Sequence, residues 1–128
     1  VPHRNEYSET VGYKIMVKKK TIIFIPDIDK WEQWDKNIKD LIKDIDYAFL
    51  DATFYDNTEL KRDMNQIPHP LVKESMKLFA NLTRTDKQKI HFIHFNHTNP
   101  LLNKSSKANQ EVILNGFKIA DDGQVIRL

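Results

Sequence analysis

The stretch Thr21-Ile22-Ile23-Phe24-Ile25-Pro26-Asp27 decides the fold of this 128-residue chain. Five β-branched or aromatic residues in a row predict a strand that is covered on both faces, as the strands of parallel sheets are. Pro26 ends the strand because proline lacks the N–H that a sheet ladder needs. Asp27 therefore lies at the carboxyl end of a buried strand, where open α/β sheets collect their functional groups.

Further strands and helices are predicted on either side of this segment. Residues 12–17 alternate in polarity and predict a strand, which a lysine-rich turn joins to the first one as a hairpin. Asp29 is predicted to be the N-cap of a helix whose apolar stripe continues to Ile45. The remaining predicted elements are strands at 47–50 and 90–95, helices at 57–64, 70–80 and 107–114 with Gly116 as C-cap, and a closing hairpin over 117–128. This order predicts one domain of the α/β class.

Composition excludes several classes of protein and of site. The net charge is only +2, from 20 basic and 18 acidic residues, which disfavours a nucleic-acid substrate without excluding it. The sequence contains no cysteine, so disulfides and thiolate metal sites are excluded, and a reducing cytoplasmic location is expected. The apolar runs are far shorter than the ~20 residues that span a bilayer, so no membrane partner is expected.

Acidic and imidazole side chains follow the ends of three predicted strands. Asp27 follows the first, Asp51 ends the next, and His94 lies at the end of the strand after that. Oxygen and nitrogen ligands without sulfur suit zinc, manganese or iron, and a carboxylate such as that of Asp27 can bridge two cations. His91 is three residues before His94 and would point to the opposite face of the strand, so we favour His94 as the ligand. His97 either supports the ligands from behind or is an ordinary loop residue.

Four segments, taken in order, resemble the second half of a metallo-β-lactamase-fold hydrolase. They are Pro-Asp-Ile-Asp at 26–29, Phe-Leu-Asp-Ala-Thr-Phe-Tyr-Asp at 49–56, His-Pro at 69–70, and His-Phe-Asn-His-Thr-Asn-Pro at 94–100. Within that superfamily the chain is most similar to the pyrroloquinoline-quinone biosynthesis protein B family. The run Asp-Ala-Thr-Phe at 51–54 also resembles the His-Glu-Ala-Thr block of ribonuclease Z.

The resemblance implies a fold and a role for each matching residue. The implied fold is an αββα sandwich, of which this chain would contribute a mixed sheet with helices on one face. Asp27 matches the carboxylate that bridges two divalent ions, zinc first and manganese or iron as alternatives, and His94 and His3 match further metal ligands. Asp51 and His69 match the catalytic pair that relays a proton. Asn96 is, like His97, a candidate for hydrogen-bonding the ligands from behind, and ordinary turn chemistry is the alternative for Asn96.

One departure from the family pattern affects every expectation above. The main metal motif of the family, His-x-His-x-Asp-His, lies in the first half of the fold and does not occur in this sequence. We therefore expect residues 1–128 to be the C-terminal half of a domain, either part of a longer protein or a member that has lost its first half. The uncovered face of the sheet would need that half, or a second copy of the chain, and the chain alone would be inactive.

Two classes of function follow from these expectations. The first is a metal-dependent hydrolase in which activated hydroxide attacks a phosphodiester or ester-like bond, with small-molecule chemistry in quinone-cofactor synthesis as the competing use of the same site. The second is a non-catalytic interaction module, a metal-free remnant of the same fold. Whether the protein is an enzyme therefore depends on whether its Asp and His side chains converge on one point.

Overall fold

A five-stranded mixed sheet forms the centre of the molecule in the computed structural model, which describes residues 1–5, 7–60, 63 and 66–128. The strands lie in the order of the sequence, β1-β2-β3-β4-β5, with β1 antiparallel to β2 and every later pair parallel. Their bounds are Tyr13–Val17, Lys20–Ile25, Tyr47–Asp51, Ile90–Ile93 and Lys118–Ile119. The predicted α/β class and the predicted mixed sheet are both confirmed.

Short helices connect the parallel strands. The α-helices are α1 (Ile38–Lys43), α2 (Val72–Leu78), α3 (Arg84–Lys87) and α4 (Lys107–Leu114), and 3₁₀ turns occur at Trp31–Gln33 and Pro100–Leu102. The C-terminal end of α4 is as predicted, because Gly116 takes φ +92° just beyond it, a conformation that glycine adopts without strain. None of the helices in the described part of the chain is long and apolar enough to cross a membrane.

One face of the sheet, the inner face, packs against these helices. Ile23, Leu50 and Phe92 lie on this face of three neighbouring strands, and each is at most 5% exposed. They form one core cluster with Ile42 of α1 and Val112 of α4. The helices are therefore on one side of the sheet, as the family resemblance implies.

The other face of the sheet, called here the outer face, has no helix over it among the described residues. It presents the alternate side chains of β1 to β5, namely Tyr13, Ile15, Val17, Ile22, Phe24, Tyr47, Phe49, His91 and Lys118. Tyr13 and Ile15 are 56% and 43% exposed, although both belong to a largely apolar surface. Only the inward side chains of β2 are buried, so within the described residues this strand is covered on one face, as expected for a chain whose helices lie on one side of the sheet.

The helix predicted from Asp29 and the predicted closing hairpin both differ from what the structure shows. The helix predicted from Asp29 to Ile45 is divided into the 3₁₀ turn and α1, because the Asn37 side chain accepts the Lys39 N–H and caps a new start. The predicted closing hairpin has only its first strand, β5, and a turn at Gly123, while residues 125–128 form no strand.

The helix predicted at 57–64 is not observed where the structure describes it. Residues 57–60 form turns and bends, because the Asp56 carboxylate accepts both the N–H and the hydroxyl proton of Thr58. Residues 61, 62 and 64 of that prediction lie outside the described residues.

Candidate metal centre

The carboxyl ends of three parallel strands bring the predicted site residues to one edge of the sheet. Asp27 follows β2, Asp51 is the last residue of β3, and His94 directly follows β4. His3 reaches the same edge because the Pro2 carbonyl accepts a 2.8 Å hydrogen bond from the Asp29 N–H, just beyond Asp27. The site is therefore assembled from segments that are far apart in the sequence.

His3 and Asp27 form a close pair of possible ligands at this edge. The distance from His3 Nε2 to Asp27 Oδ1 is 3.2 Å, and the His3 side chain is 8% exposed. Asp27 Oδ1 and His3 Nδ1 are both buried without a hydrogen-bond partner among the described residues. A buried polar atom without a partner is costly, so this pair is a place where a ligand would be stabilising.

Asp51 accepts hydrogen bonds from several residues of the cluster and is completely buried. Its Oδ2 accepts the Ile28 N–H at 3.1 Å, and its Oδ1 accepts the N–H and the hydroxyl proton of Thr53 at 2.8 and 2.6 Å. Burial alone would raise the pKa of Asp51, but the hydrogen bonds and the nearby imidazoles outweigh burial and hold that pKa below its usual range. Asp51 is therefore a charged carboxylate that can only accept hydrogen bonds.

His69 lies before α2 and turns its Nδ1 toward both aspartates. The Nδ1 atom is 2.8 Å from Asp51 Oδ2 and 3.4 Å from Asp27 Oδ1. By distance alone it is His69, and not the predicted ligand His94, that forms a possible ligand group with His3 and Asp27 among the described residues. The shorter contact to a charged acceptor nevertheless commits the Nδ1 proton to Asp51. The neutral ring then has its lone pair on Nε2.

His94 is turned toward the cluster by an uncommon backbone conformation. Its φ is +64°, which is rare for residues other than glycine and which concentrates at functional sites. Its Nδ1 lies 3.1 Å from Thr53 Oγ1 and 3.9 Å from Asp51 Oδ1, and its side chain is 49% exposed. The Asp51 carboxylate chiefly, with Asp27 adding to it, raises the pKa of His94 above its usual value. The Nδ1 edge of the ring is the one that faces Thr53 and Asp51.

The other predicted residues lie at the border of the site. His97 is exposed in the loop after β4, and Asn96 directs its side-chain amide to Thr98 while its backbone N–H binds the Thr53 carbonyl. His91 points to the outer face, where its ring stacks on Phe49 at 5.0 Å. His91 and His94 thus lie apart because His91 belongs to β4, whereas His94 follows the strand in a left-handed backbone conformation.

Sequence reasoning missed two residues that shape the site. Thr53 contacts Asp51, His69 and His94 through one hydroxyl group. Asn99 is 3% exposed and donates its amide to the carbonyls of Ala52 and Thr53 at 2.7 and 3.2 Å. The position of Thr53, two residues after an aspartate that ends a strand, was a usable signal, whereas asparagine in a loop looks like ordinary turn chemistry.

The donor set fits a divalent transition metal. In a tetrahedral site with bonds of about 2.0–2.2 Å, two ligand atoms lie about 3.3 Å apart. The 3.2 Å between His3 Nε2 and Asp27 Oδ1 matches that edge. Imidazole and carboxylate ligands without sulfur suit zinc, manganese or iron. The residues present are therefore compatible with a bound cation.

The fold places the chain in the metallo-β-lactamase class, over the part of that fold it spans. A protein-family model described as "Beta-lactamase superfamily domain" matches residues 1–95, about three quarters of the sequence. The chain belongs to this family.

Curated relatives are similar to the chain over almost its whole length. "Coenzyme PQQ synthesis protein B" from Acinetobacter baumannii (strain ACICU) is 26% identical over 137 residues, covering 99% of this chain and 44% of the relative. The protein of the same name from Gluconobacter oxydans is 28% identical over 126 residues, covering 94% of this chain and 40% of the relative. The chain thus spans less than half the length of these relatives.

A solved structure has the same fold. The crystal structure titled as Zn(2+)-bound PqqB from Methylobacterium extorquens aligns with a TM-score of 0.75 and 23% identity, covering 93% of this chain and 44% of that one. The resemblance to this superfamily and to its quinone-biosynthesis branch is confirmed.

Proposed function

We propose that the chain forms one wall of a divalent-metal centre, in which His3, Asp27 and His94 are ligands and the pair His69 and Asp51 handles a proton. The observation that carries this proposal is the His3–Asp27 pair, in which His3 Nε2 lies one ligand edge from Asp27 Oδ1, an oxygen that is buried without a hydrogen-bond partner among the described residues. Two ions sharing Asp27 would need more donors than these three side chains supply, so other residues complete the coordination.

The chemistry of such a site is water activation. A bound divalent cation lowers the pKa of a coordinated water toward ~7, which makes hydroxide available near neutral pH. With its Nδ1 proton directed to Asp51, His69 would accept a proton at Nε2 and, once protonated there as the imidazolium, donate it to the leaving group. General acid–base help of this kind is typically worth ~10²–10⁴ in rate. We infer hydrolysis of an ester-like or phosphodiester bond as the reaction class.

We infer a small-molecule substrate in the synthesis of coenzyme PQQ. The name shared by the curated relatives supports this assignment, and the net charge of +2 gives no basic track for a long polynucleotide. A role as a non-catalytic interaction module remains the alternative, and the metal measurement below separates the two.

Metal titration of the natural protein that contains this chain tests the proposal. The protein is stripped of metal and titrated with Zn²⁺, and with Mn²⁺ and Fe²⁺ in separate runs, by calorimetry. We expect Asp27→Asn to weaken binding by at least 10–100-fold, because the cation loses a charged ligand. Asp29→Asn is the matched control, since its Oδ1 accepts the Lys30 N–H and an amide oxygen can do the same. Absence of binding by the wild type, or equal binding by Asp27→Asn, would leave only the interaction module.

We also propose that the outer face is covered in the natural protein by the second β-sheet of the sandwich. Sheets of parallel strands are covered on both faces, and this one exposes a row of aromatic and aliphatic side chains. An apolar layer is the partner that such a surface fits. The site lies at the edge of this face, so the second sheet would also supply the opposite wall of the metal centre.

A further inference from the structure

We propose that Thr53 is a positioning residue that fixes His94 as the tautomer protonated at Nδ1, which leaves Nε2 as the atom that can bind a cation. The inference rests on the proposed metal centre and adds to it a residue outside the predicted ligand and relay set. Its basis is one hydroxyl oxygen that lies 2.6 Å from Asp51 Oδ1 and 3.1 Å from His94 Nδ1.

Counting protons decides the direction of both hydrogen bonds. The Thr53 hydroxyl has a single proton, and Asp51 is an acceptor only. The 2.6 Å bond to a charged oxygen is the stronger of the two, so the proton goes to Asp51. Thr53 Oγ1 can then act toward His94 only as an acceptor, and His94 must donate from Nδ1. The neutral ring therefore carries its lone pair on Nε2.

The same count of protons shows which acceptor receives the Nδ1 proton of His69. His69 Nδ1 is 2.8 Å from Asp51 Oδ2 but 3.3 Å from Thr53 Oγ1, so its proton belongs to the carboxylate. The two Asp51 oxygens thus serve different histidines, one directly and one through Thr53. A carboxylate behind an imidazole ligand is the arrangement that orients metal-bound histidines and raises their basicity.

The backbone around Thr53 is built to hold this geometry. Its carbonyl accepts the Asn96 N–H at 3.0 Å and the buried Asn99 amide at 3.2 Å, and its N–H donates to Asp51. The loop after β3 and the loop after β4 are therefore tied together at this residue. The φ of +64° at His94 brings its ring to the hydroxyl, and the contact helps to offset the strain.

The tautomer is measured directly by nitrogen NMR. Long-range proton–nitrogen correlation on the metal-free natural protein, at a pH where the imidazole is neutral, reports which nitrogen of His94 carries the proton, with His94→Gln assigning the signal. We expect the Nδ1–H form in the wild type and in Thr53→Ser. In Thr53→Val, which keeps the shape but lacks the hydroxyl, we expect a shift toward the Nε2–H form. An Nε2–H wild type, or an unchanged Thr53→Val, would overturn the proposal.

Metal affinity provides the second measurement. We expect Thr53→Val to weaken Zn²⁺ binding about 10–100-fold and Thr53→Ser to recover most of it, as for other groups behind a metal ligand. Equal affinity in all three proteins would contradict the role. The two proposals fail separately, because a wild type that binds no metal ends the proposed function while the NMR result on the metal-free protein still decides the role of Thr53.

Discussion

Asp51 shows how single residues set the chemistry of this site. A fully buried carboxylate would be strongly destabilising in apolar surroundings, yet here it accepts two backbone N–H groups, one hydroxyl proton and one imidazole proton. Its environment keeps its pKa low, so that it stays ionised and orients His69. Removing such a charge would leave several donors unpaired at once, which costs more than any one of the bonds.

From the burial of the His91 imidazole we predict a measurable dependence of the free energy of unfolding on pH. Burial, more than the nearby Lys118 charge, lowers the pKa of this imidazole, whose Nδ1 donates to the Lys89 carbonyl. The folded pKa therefore lies below the unfolded value of about 6.5. The contribution of His91 to stability is present above about pH 6.5 and is lost as the pH falls through the folded pKa. His91→Phe keeps the stacking on Phe49 and removes this part of the acid destabilisation.

Urea unfolding of the natural protein at pH 8 and pH 5 checks this expectation. The free energy of unfolding should fall less on acidification in His91→Phe than in the wild type. His97→Asn is the control, because this side chain is exposed and its replacement should leave the difference between the two pH values unchanged. Equal losses in the wild type and His91→Phe would show that His91 is not held neutral by burial.

At the scale of elements, the parallel strands are what bring the site together. Each of β2, β3 and β4 ends at the same edge, so residues just past their carboxyl ends become neighbours. In the described part of the chain no helix packs on the outer face of the same sheet. The position of the site and the uncovered face thus both follow from the arrangement of this one sheet.

A charge placed on the outer face tests whether that face is covered. Ile15 is 43% exposed in β1 and points to the outer face, whereas the adjacent Met16 is 74% exposed and points to the other side. If a second sheet covers the outer face in the natural protein, Ile15→Lys buries an unpaired charge and should cost at least about 2 kcal/mol. Met16→Lys should stay within about 0.5 kcal/mol of the wild type. Equal melting temperatures for both variants would mean that the face is open.

Sequence patterns predicted strands more successfully than the other elements. The run at 21–25 and the short apolar runs of β3 and β4 are unambiguous because each is bounded by proline or polar residues. The helix predicted from Asp29 failed because periodicity cannot reveal that Asn37 starts a new helix with its side chain. The second strand of the closing hairpin failed because a turn signal at Gly123 does not supply a pairing partner.

At the scale of the molecule, the site joins five segments that the sequence keeps apart. The rule that functional groups follow the carboxyl ends of parallel strands predicted the positions of Asp27, Asp51 and His94. The family resemblance added His3 and His69. Neither could predict Thr53 as the link, because its role depends on the positive φ of His94 and on the Asn99 bonds. Those features arise only from packing between distant loops.

The most direct test of the account is the position of a cation in the natural protein. Anomalous diffraction at the zinc edge, on crystals grown with Zn²⁺, locates the ion without reference to activity. We predict a peak about 2.0–2.2 Å from His3 Nε2 and an Asp27 carboxylate oxygen, with His69 Nδ1 still bonded to Asp51. A cation bound elsewhere, or an Asp27 carboxylate turned away from it, would contradict the account.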